Sequence, residues 1–463
     1  MTRAAIAVLL LVLAACSPTT TQQKPQGTSA HLVGAIGKAA YEIQVPSNWN
    51  GTLFLYSHGY VAPGENNSAT AVTDATVRKW LLGRHFAVAG SAYSSTGWAI
   101  EDAFKDQIAL LDYFTTKVGK PTRVIAWGHS LGGIITAGLV QLYPNRFAGA
   151  MPMCGVLAGG VATWNLELDA AYAFKTLLAP NSALQVVNIA AGSSNLQLAE
   201  SIFQSAAQTP QGQARLALVA GLIELPGWFD PTKAAPAATD YTRQLEGQEI
   251  WEARVDFPFA FQYRTDLEAR AGGNPSWNEG VDYGRLLAGS PNRDEVVALY
   301  QQAGLDLNAD LRALNAGATI KADPAAAQYL ERYVSFDGQL QAPVLSVHTV
   351  GDGLVIPSNE TAYAAVVGAA SRGAMLRQVF VNRAGHCAFT PAETIAAFEA
   401  LLKRINTGTW DDASLQPAPL NNAAADQRPG ASTIFGFPFD PSFVNYHPAT
   451  YPRPFARGQV IPT

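Results

Sequence analysis

Residues 125–135 read IAWGHSLGGII. One serine, Ser130, stands between Gly128 and Gly132, directly after the run Arg123–Trp127. A short apolar run ending at glycine predicts a buried strand, and the apolar spacing from Leu131 to Tyr143 predicts a helix lying on a sheet. A hydroxyl exposed on such a strand-to-helix bend has a chemical use. Serine is a weak nucleophile until a base takes its proton and N–H donors receive the oxyanion. The bend presents the side chain, and the flanking glycines leave room for it. The helix beginning after Ser130 also turns backbone N–H groups toward the site.

Working outward, the same alternation recurs. Strands are expected at Gly51–Ser57, Phe86–Ala92, Ala148–Cys154, Pro343–His348 and Leu376–Asn382. Helical spacing covers Asp74–His85, Glu101–Val118, Asn359–Val367 and Pro391–Ile405. This is the pattern of an α/β fold with a mostly parallel sheet flanked by helices. Two segments, 31–155 and 339–410, carry it. Between them, residues 156–338 are rich in Ala, Leu and Trp with little strand character, and read as a large, mainly helical cap. Residues 411–463, with stretches such as FPFDPSFVNYHPATYPRPF, read as an irregular Pro/aromatic tail.

A base and an acid to orient it must stand at the same sheet edge as Ser130. Asp352, in LSVHTVGDGLVIP, follows one expected strand, and His386, in FVNRAGHCAFT, follows the next. His447 falls in the tail and is a poor rival. With these three motifs the chain resembles the α/β-hydrolase-fold serine hydrolases, the superfamily of esterases and lipases. The resemblance covers roughly residues 40–155 and 340–405. It implies Ser130 as nucleophile, His386 as base and Asp352 as orienting acid, in the order Ser, Asp, His along the chain. It further implies an oxyanion hole from the backbone N–H groups of Leu131 and Tyr60, the latter in SHGYVAPG just after a strand. The longer HGGG form of that loop is missing here. The Tyr60 ring, Trp98 and His129 are candidates for the substrate pocket.

The start of the chain carries a second resemblance. Arg3 precedes the apolar run Ala4–Ala15, which closes on LAACS at residues 13–17. This resembles the lipobox of bacterial lipoproteins and implies a signal peptide over 1–16, lipidation of Cys16 and a membrane anchor in the bacterial cell envelope. A cleaved secretory signal releasing a soluble protein is the alternative. Residues 17–30 read as a flexible tether. Setting Cys16 aside, Cys154 and Cys387 remain, and in an exported protein two cysteines invite a disulfide. Both fall at the sheet edge that carries Ser130. Tannases and feruloyl esterases also set a disulfide beside the triad, but they place a cysteine immediately before the serine. Here that position is His129, so the chain is not assigned to them.

Composition narrows the partners. At 463 residues two domains are expected. A net charge of −5 with no basic block argues against nucleic acid. No cluster has metal-ligand spacing and no phosphate-cradling glycine loop occurs, so neither metal nor cofactor is expected. The reading is an exported serine hydrolase that cleaves carboxylic esters, small or lipid-like, through an acyl-enzyme. Trp164, Trp228, Trp251 and Trp277 in the cap suit an apolar cover. An aminopeptidase of the same fold is the first rival, for which Glu252, Asp256, Asp266 and Glu268 could grip a substrate amine. A non-catalytic surface binding protein is the second. Oligomeric state is open.

Overall fold

The structure is a computed structural model that describes residues 29–462 apart from 428–431 and 435. The expected signal peptide with Cys16, and the tether up to residue 28, lie outside the described residues.

A short antiparallel hairpin, β1 (Ala30–Ile36) and β2 (Ala39–Val45), opens the chain, followed by β3 (Thr52–Ser57), β4 (Ala87–Ser91), β5 (Arg123–His129), β6 (Gly149–Met153), β7 (Val344–Gly351) and β8 (Leu376–Ala384). In the tail, β9 (Thr433–Ile434) pairs with β10 (Phe437–Pro438), and β11 (Phe443–Val444) joins the main sheet. The sheet order is β1-β2-β4-β3-β5-β6-β7-β8-β11. From β4 through β8 neighbours run parallel, while β1, β2 and β11 add antiparallel edges. Every residue of β3, β4 and β6 is buried, as a parallel sheet covered on both faces requires. Helices Ile100–Lys117 and Leu131–Leu142 cover one face, and Ala75–Gly83 and Pro391–Thr407 cover the other. This is an α/β-hydrolase sheet. Because β3, β5, β7 and β8 point the same way, the residues after their carboxyl ends, including Ser130, Asp352 and His386, gather at one edge.

The segment between β6 and β7 is helical, from Gly160–Leu178 through Pro324–Arg332. Its middle contains a rarity: Glu252–Asp256 and Pro258–Tyr263 are wound as π-helix. Such windings are uncommon and concentrate at functional sites. The cap is latched to the loop after β4. Asp266 Oδ2 accepts a hydrogen bond from the Trp98 N–H at 2.9 Å, and Arg270 bridges Asp266 to Ser95, Thr96 and Asp102.

The tail departs from the irregular course expected of it. Helix Pro417–Ala425 packs on Pro391–Thr407, and β11 pairs with Phe380 and Val381 of β8. A two-residue strand is too short to show a period. Beyond it the tail climbs to the cap, where Arg453 meets buried Asp169 at 2.8 Å and lies over the Trp277 ring. The tail also backs the segment after β8. Buried Arg383 makes two bonds to Glu393, at 2.7 and 3.0 Å, and donates to the Asp440 carbonyl oxygen and Ser442 Oγ. Glu393 in turn completes the capping box with Thr390 that starts the last core helix.

The bend at residue 130 is held by close backbone approach. A Cβ built on Gly132 would overlap the Ser57 carbonyl oxygen of β3, and one on Gly128 would meet the same atom. Alanine is the better helix former by about 1 kcal/mol. Even so, Gly132→Ala is expected to cost about 1–3 kcal/mol, since the overlap forces β3 and the helix apart. Urea denaturation checks the sign: a stabilised variant would mean that the contact is loose.

Candidate active site

Ser130 sits at φ 59°, ψ −122°, a region non-glycine residues rarely enter. The conformation costs of order 1–3 kcal/mol and persists only where surroundings over-determine it. They do so here. The Ser130 N–H donates to the Met153 carbonyl oxygen at 3.0 Å, and its own carbonyl accepts from Gly133 N–H at 2.8 Å. The side chain is thereby pushed out of the sheet edge toward the loop after β3, where a Cβ on Gly59 would stand 4.0 Å from Ser130 Oγ.

That loop is fixed by a residue the sequence reading left without a role. His58 is buried and stacked on Tyr93, with ring centroids 4.0 Å apart. Its Nδ1–H donates to the Gly59 carbonyl oxygen at 2.7 Å. Burial lowers its pKa, which keeps the ring neutral. In a trans peptide the N–H points opposite the carbonyl. Holding Gly59 O toward His58 therefore directs the Tyr60 N–H away from it.

Asp352 and His386 are joined. His386 Nδ1 lies 2.8 Å from Asp352 Oδ2 and 3.0 Å from Oδ1. Asp352 is fully buried, and its Oδ1 also accepts from the N–H groups of Leu354 and Val355 at 3.1 and 3.0 Å. Behind it stands His348, likewise buried, which faces the Val355 carbonyl oxygen at 2.7 Å and Glu360 at 3.1 Å. Burial works against a charge on His348, but Glu360 and Asp352 outweigh it and raise its pKa. Cys154 and Cys387 form a disulfide, with Cα atoms 5.3 Å apart, that ties the end of β6 to the residue after His386. Among the described residues no hydrogen bond joins Ser130 Oγ to His386. The free Nε2 lies 3.3 Å from Cys387 Sγ.

A pocket opens over Ser130 and Leu131, walled by Tyr60, Trp98, Trp164 and Phe259. Tyr60 packs against Phe259 and Tyr263 of the π-wound segment at 4.9 and 5.5 Å, and Trp98 meets Trp164 edge-on at 5.4 Å. His129, expected as a pocket candidate, does not line it. Its ring packs among Tyr56, Trp127 and Phe389, where burial, with His386 nearby, pushes its pKa down to about 4. Strand alternation explains this, since neighbouring side chains leave a strand end in opposite directions.

The pocket continues past Glu167 to a second void lined by Asp256. Of the four cap acids considered from sequence, Glu268 is tied to Arg264 and Asp266 to Arg270, whereas Asp256 Oδ2 and both Glu252 carboxyl oxygens are buried without a hydrogen-bond partner. Glu167 was not foreseen. Burial raises its pKa to about 8, and those of Asp256 and Glu252 well above the carboxylate range. The folded chain thus binds more protons than the unfolded one from the ordinary carboxylate range up to these raised values. For the raised His348 the stabilisation is complete below the unfolded histidine value and disappears as pH climbs through the folded one. These two signs agree, and they outweigh the lowered His58 and His129, which add stability with pH only up to about the unfolded histidine value, so stability falls with rising pH. The melting temperature is expected to be lower at pH 8.5 than at pH 6, and a rise over that interval in calorimetry would contradict these assignments.

Residues 89–181 match the model of the prolyl oligopeptidase family of peptidases. The chain is similar to an o-phthalyl amidase of Xanthobacter agilis, at 29% identity over 437 residues, spanning 86% of this chain and 91% of that one. Among solved structures it resembles an esterase from Aspergillus oryzae (15% identity, TM-score 0.39, covering 82% and 80% of the two chains). It also resembles feruloyl esterase B from Aspergillus oryzae (14% identity, TM-score 0.39, 83% and 82%). The chain is similar to hydrolases that cut esters and amides.

Proposed function

We propose that this protein is a serine hydrolase that cleaves carboxylic esters with a compact aromatic or apolar acyl group through an acyl-enzyme. The observation that carries the reading is the strained, outward-facing Ser130 at the same sheet edge as the bonded pair Asp352–His386. Ser130 Oγ attacks the carbonyl carbon while His386 Nε2 takes its proton. The Leu131 and Tyr60 N–H groups receive the oxyanion, the latter aimed by His58. Collapse expels the alcohol, which takes the proton from Nε2, and water then repeats the sequence to free the acid. The Ser130–His386 bond forms as substrate arrives, a tightening common in catalytic sites. The flat walls from Tyr60, Trp98, Trp164 and Phe259 favour an aromatic acyl group.

Amide cleavage is the second reading. It is favoured by the similarity to an o-phthalyl amidase and, for amine-bearing substrates, by Glu167 and Asp256 along the pocket. The LAACS motif supports export and anchoring through Cys16, and the disulfide suits an oxidising compartment.

Turnover of p-nitrophenyl benzoate, benzoyl p-nitroanilide and an aminoacyl p-nitroanilide decides among these. The ester is expected to be the best substrate, and Ser130→Ala to lower its kcat by at least about 10⁴-fold. Preference for an anilide would move the protein to the amidases. If the aminoacyl anilide leads, Glu167→Gln and Asp256→Asn should raise its KM and spare the benzoyl substrates. Absence of Ser130-dependent turnover and of fluorophosphonate labelling would sink the hydrolase reading.

A further inference from the structure

The disulfide lies against the one ring nitrogen that the proposed mechanism must keep free. Cys154, Cys387 and His386 present ligand atoms all within 4.8 Å of one another, and His386 Nε2 is 3.3 Å from Cys387 Sγ. Zinc bound by sulfur at about 2.3 Å and nitrogen at about 2.0 Å in a tetrahedron sets those two atoms about 3.5 Å apart. We propose that, once the disulfide is reduced, Cys154, Cys387 and His386 bind a zinc ion and that the metal switches the hydrolase off.

Three features argue for a built site. First, His386 already has the environment of a metal ligand. Its Nδ1–H is engaged by Asp352, so Nε2 presents a lone pair, and Asp352 is itself held by Leu354 and Val355. A carboxylate behind the histidine fixes the tautomer and raises ligand basicity. Second, neither cysteine depends on the S–S bond for its position. The Cys154 N–H donates to the Val347 carbonyl oxygen at 2.8 Å at the sheet edge. Cys387 sits in a loop clamped by the Arg383–Glu393 pair, with the Phe389 N–H donating to its carbonyl at 2.8 Å. Reduction therefore leaves two thiols facing each other beside the ring. Third, His386 and Cys387 are only partly buried, so an ion can reach them and keep a water as fourth ligand.

The chemistry balances with a trialkylphosphine as reductant. The phosphine becomes its oxide, taking oxygen from water, whose two hydrogens leave on the thiols. Zinc then displaces two thiol protons and forms bonds to both sulfurs and to Nε2. With that lone pair occupied, His386 cannot take the Ser130 proton. The inhibitory half of the proposal rests on the hydrolase reading; the metal site does not. A chain not yet oxidised would thus be held silent by zinc until its disulfide closes.

The test uses the full chain, oxidised or phosphine-reduced, titrated with cobalt(II) or zinc(II) alone. The reduced protein is expected to bind one cobalt per chain with a thiolate-to-metal absorption band. It should lose ester turnover at least tenfold in micromolar zinc and regain it with a chelator, and the oxidised protein should do neither. His386→Ala, which keeps both cysteines, should weaken cobalt binding at least tenfold, and Asp352→Asn by about 10- to 100-fold. A missing band, equal zinc inhibition of both redox forms, or undiminished binding by His386→Ala would overturn the site. So would reduction that abolishes near-ultraviolet circular dichroism with no recovery on adding zinc. A cobalt band in a protein without ester turnover would instead leave the site standing and sink the hydrolase reading.

Discussion

The contact between the Ser57 carbonyl oxygen and the glycines at 128 and 132 is the constraint on which the rest of this molecule depends. It brings β3 and the helix after β5 closer than any side chain allows, and so forces Ser130 into its unusual backbone region. The strain is sustained by hydrogen bonds to Met153 and Gly133. The same approach decides where the next strand's loop runs, so His58, Gly59 and Tyr60 pass within reach of the serine. Geometry at one bend therefore fixes both the hydroxyl and the loop that runs beside it.

The opposite side of the pocket follows a different logic. Asp352 and His386 are held by satisfied polar networks in which nearly every acceptor has a donor, down to His348 and Glu360 behind them. The cap acids are the reverse: Glu252 and Asp256 keep carboxyl oxygens buried with no hydrogen bond. Unpaired polar groups in low dielectric are costly, and burial answers by holding them protonated. One wall of the cavity is thus rigid and settled, while the other retains unspent hydrogen-bonding capacity.

How much of this the sequence disclosed depends on the range over which each signal acts. The core strands were legible as continuous apolar runs, as in Arg123–His129, and the helices on them by their apolar period, as in Ile100–Lys117. Ser130, Asp352 and His386 stood out because each follows a strand at a glycine-bearing turn. The hairpin strand β1 did not stand out, since AHLVGAI is largely exposed and has little apolar contrast. Glu167 was invisible for another reason. A single acid in a helix reads as a solvated face, and only packing of the cap over the sheet makes it part of a cavity. The π-helical winding at Glu252–Tyr263 and the pairing of Arg383 with tail residues are likewise products of tertiary contact.

The course of the tail has a mechanical consequence. It leaves the sheet edge at β11, passes buried Tyr451 at the second void, and seats Arg453 on Asp169 in the first cap helix. The cap is therefore fastened to the core at its two chain junctions, at the Asp266–Trp98 latch and again by this strap. A jaw that swings on one hinge needs a free side, and here there is none. The part of the pocket wall least tied down is the one where Phe259 and Tyr263 ride on π-wound helix against Tyr60. The cap is strapped down on several sides, and the wider turns of the π-wound helix are left to shape one wall of the pocket.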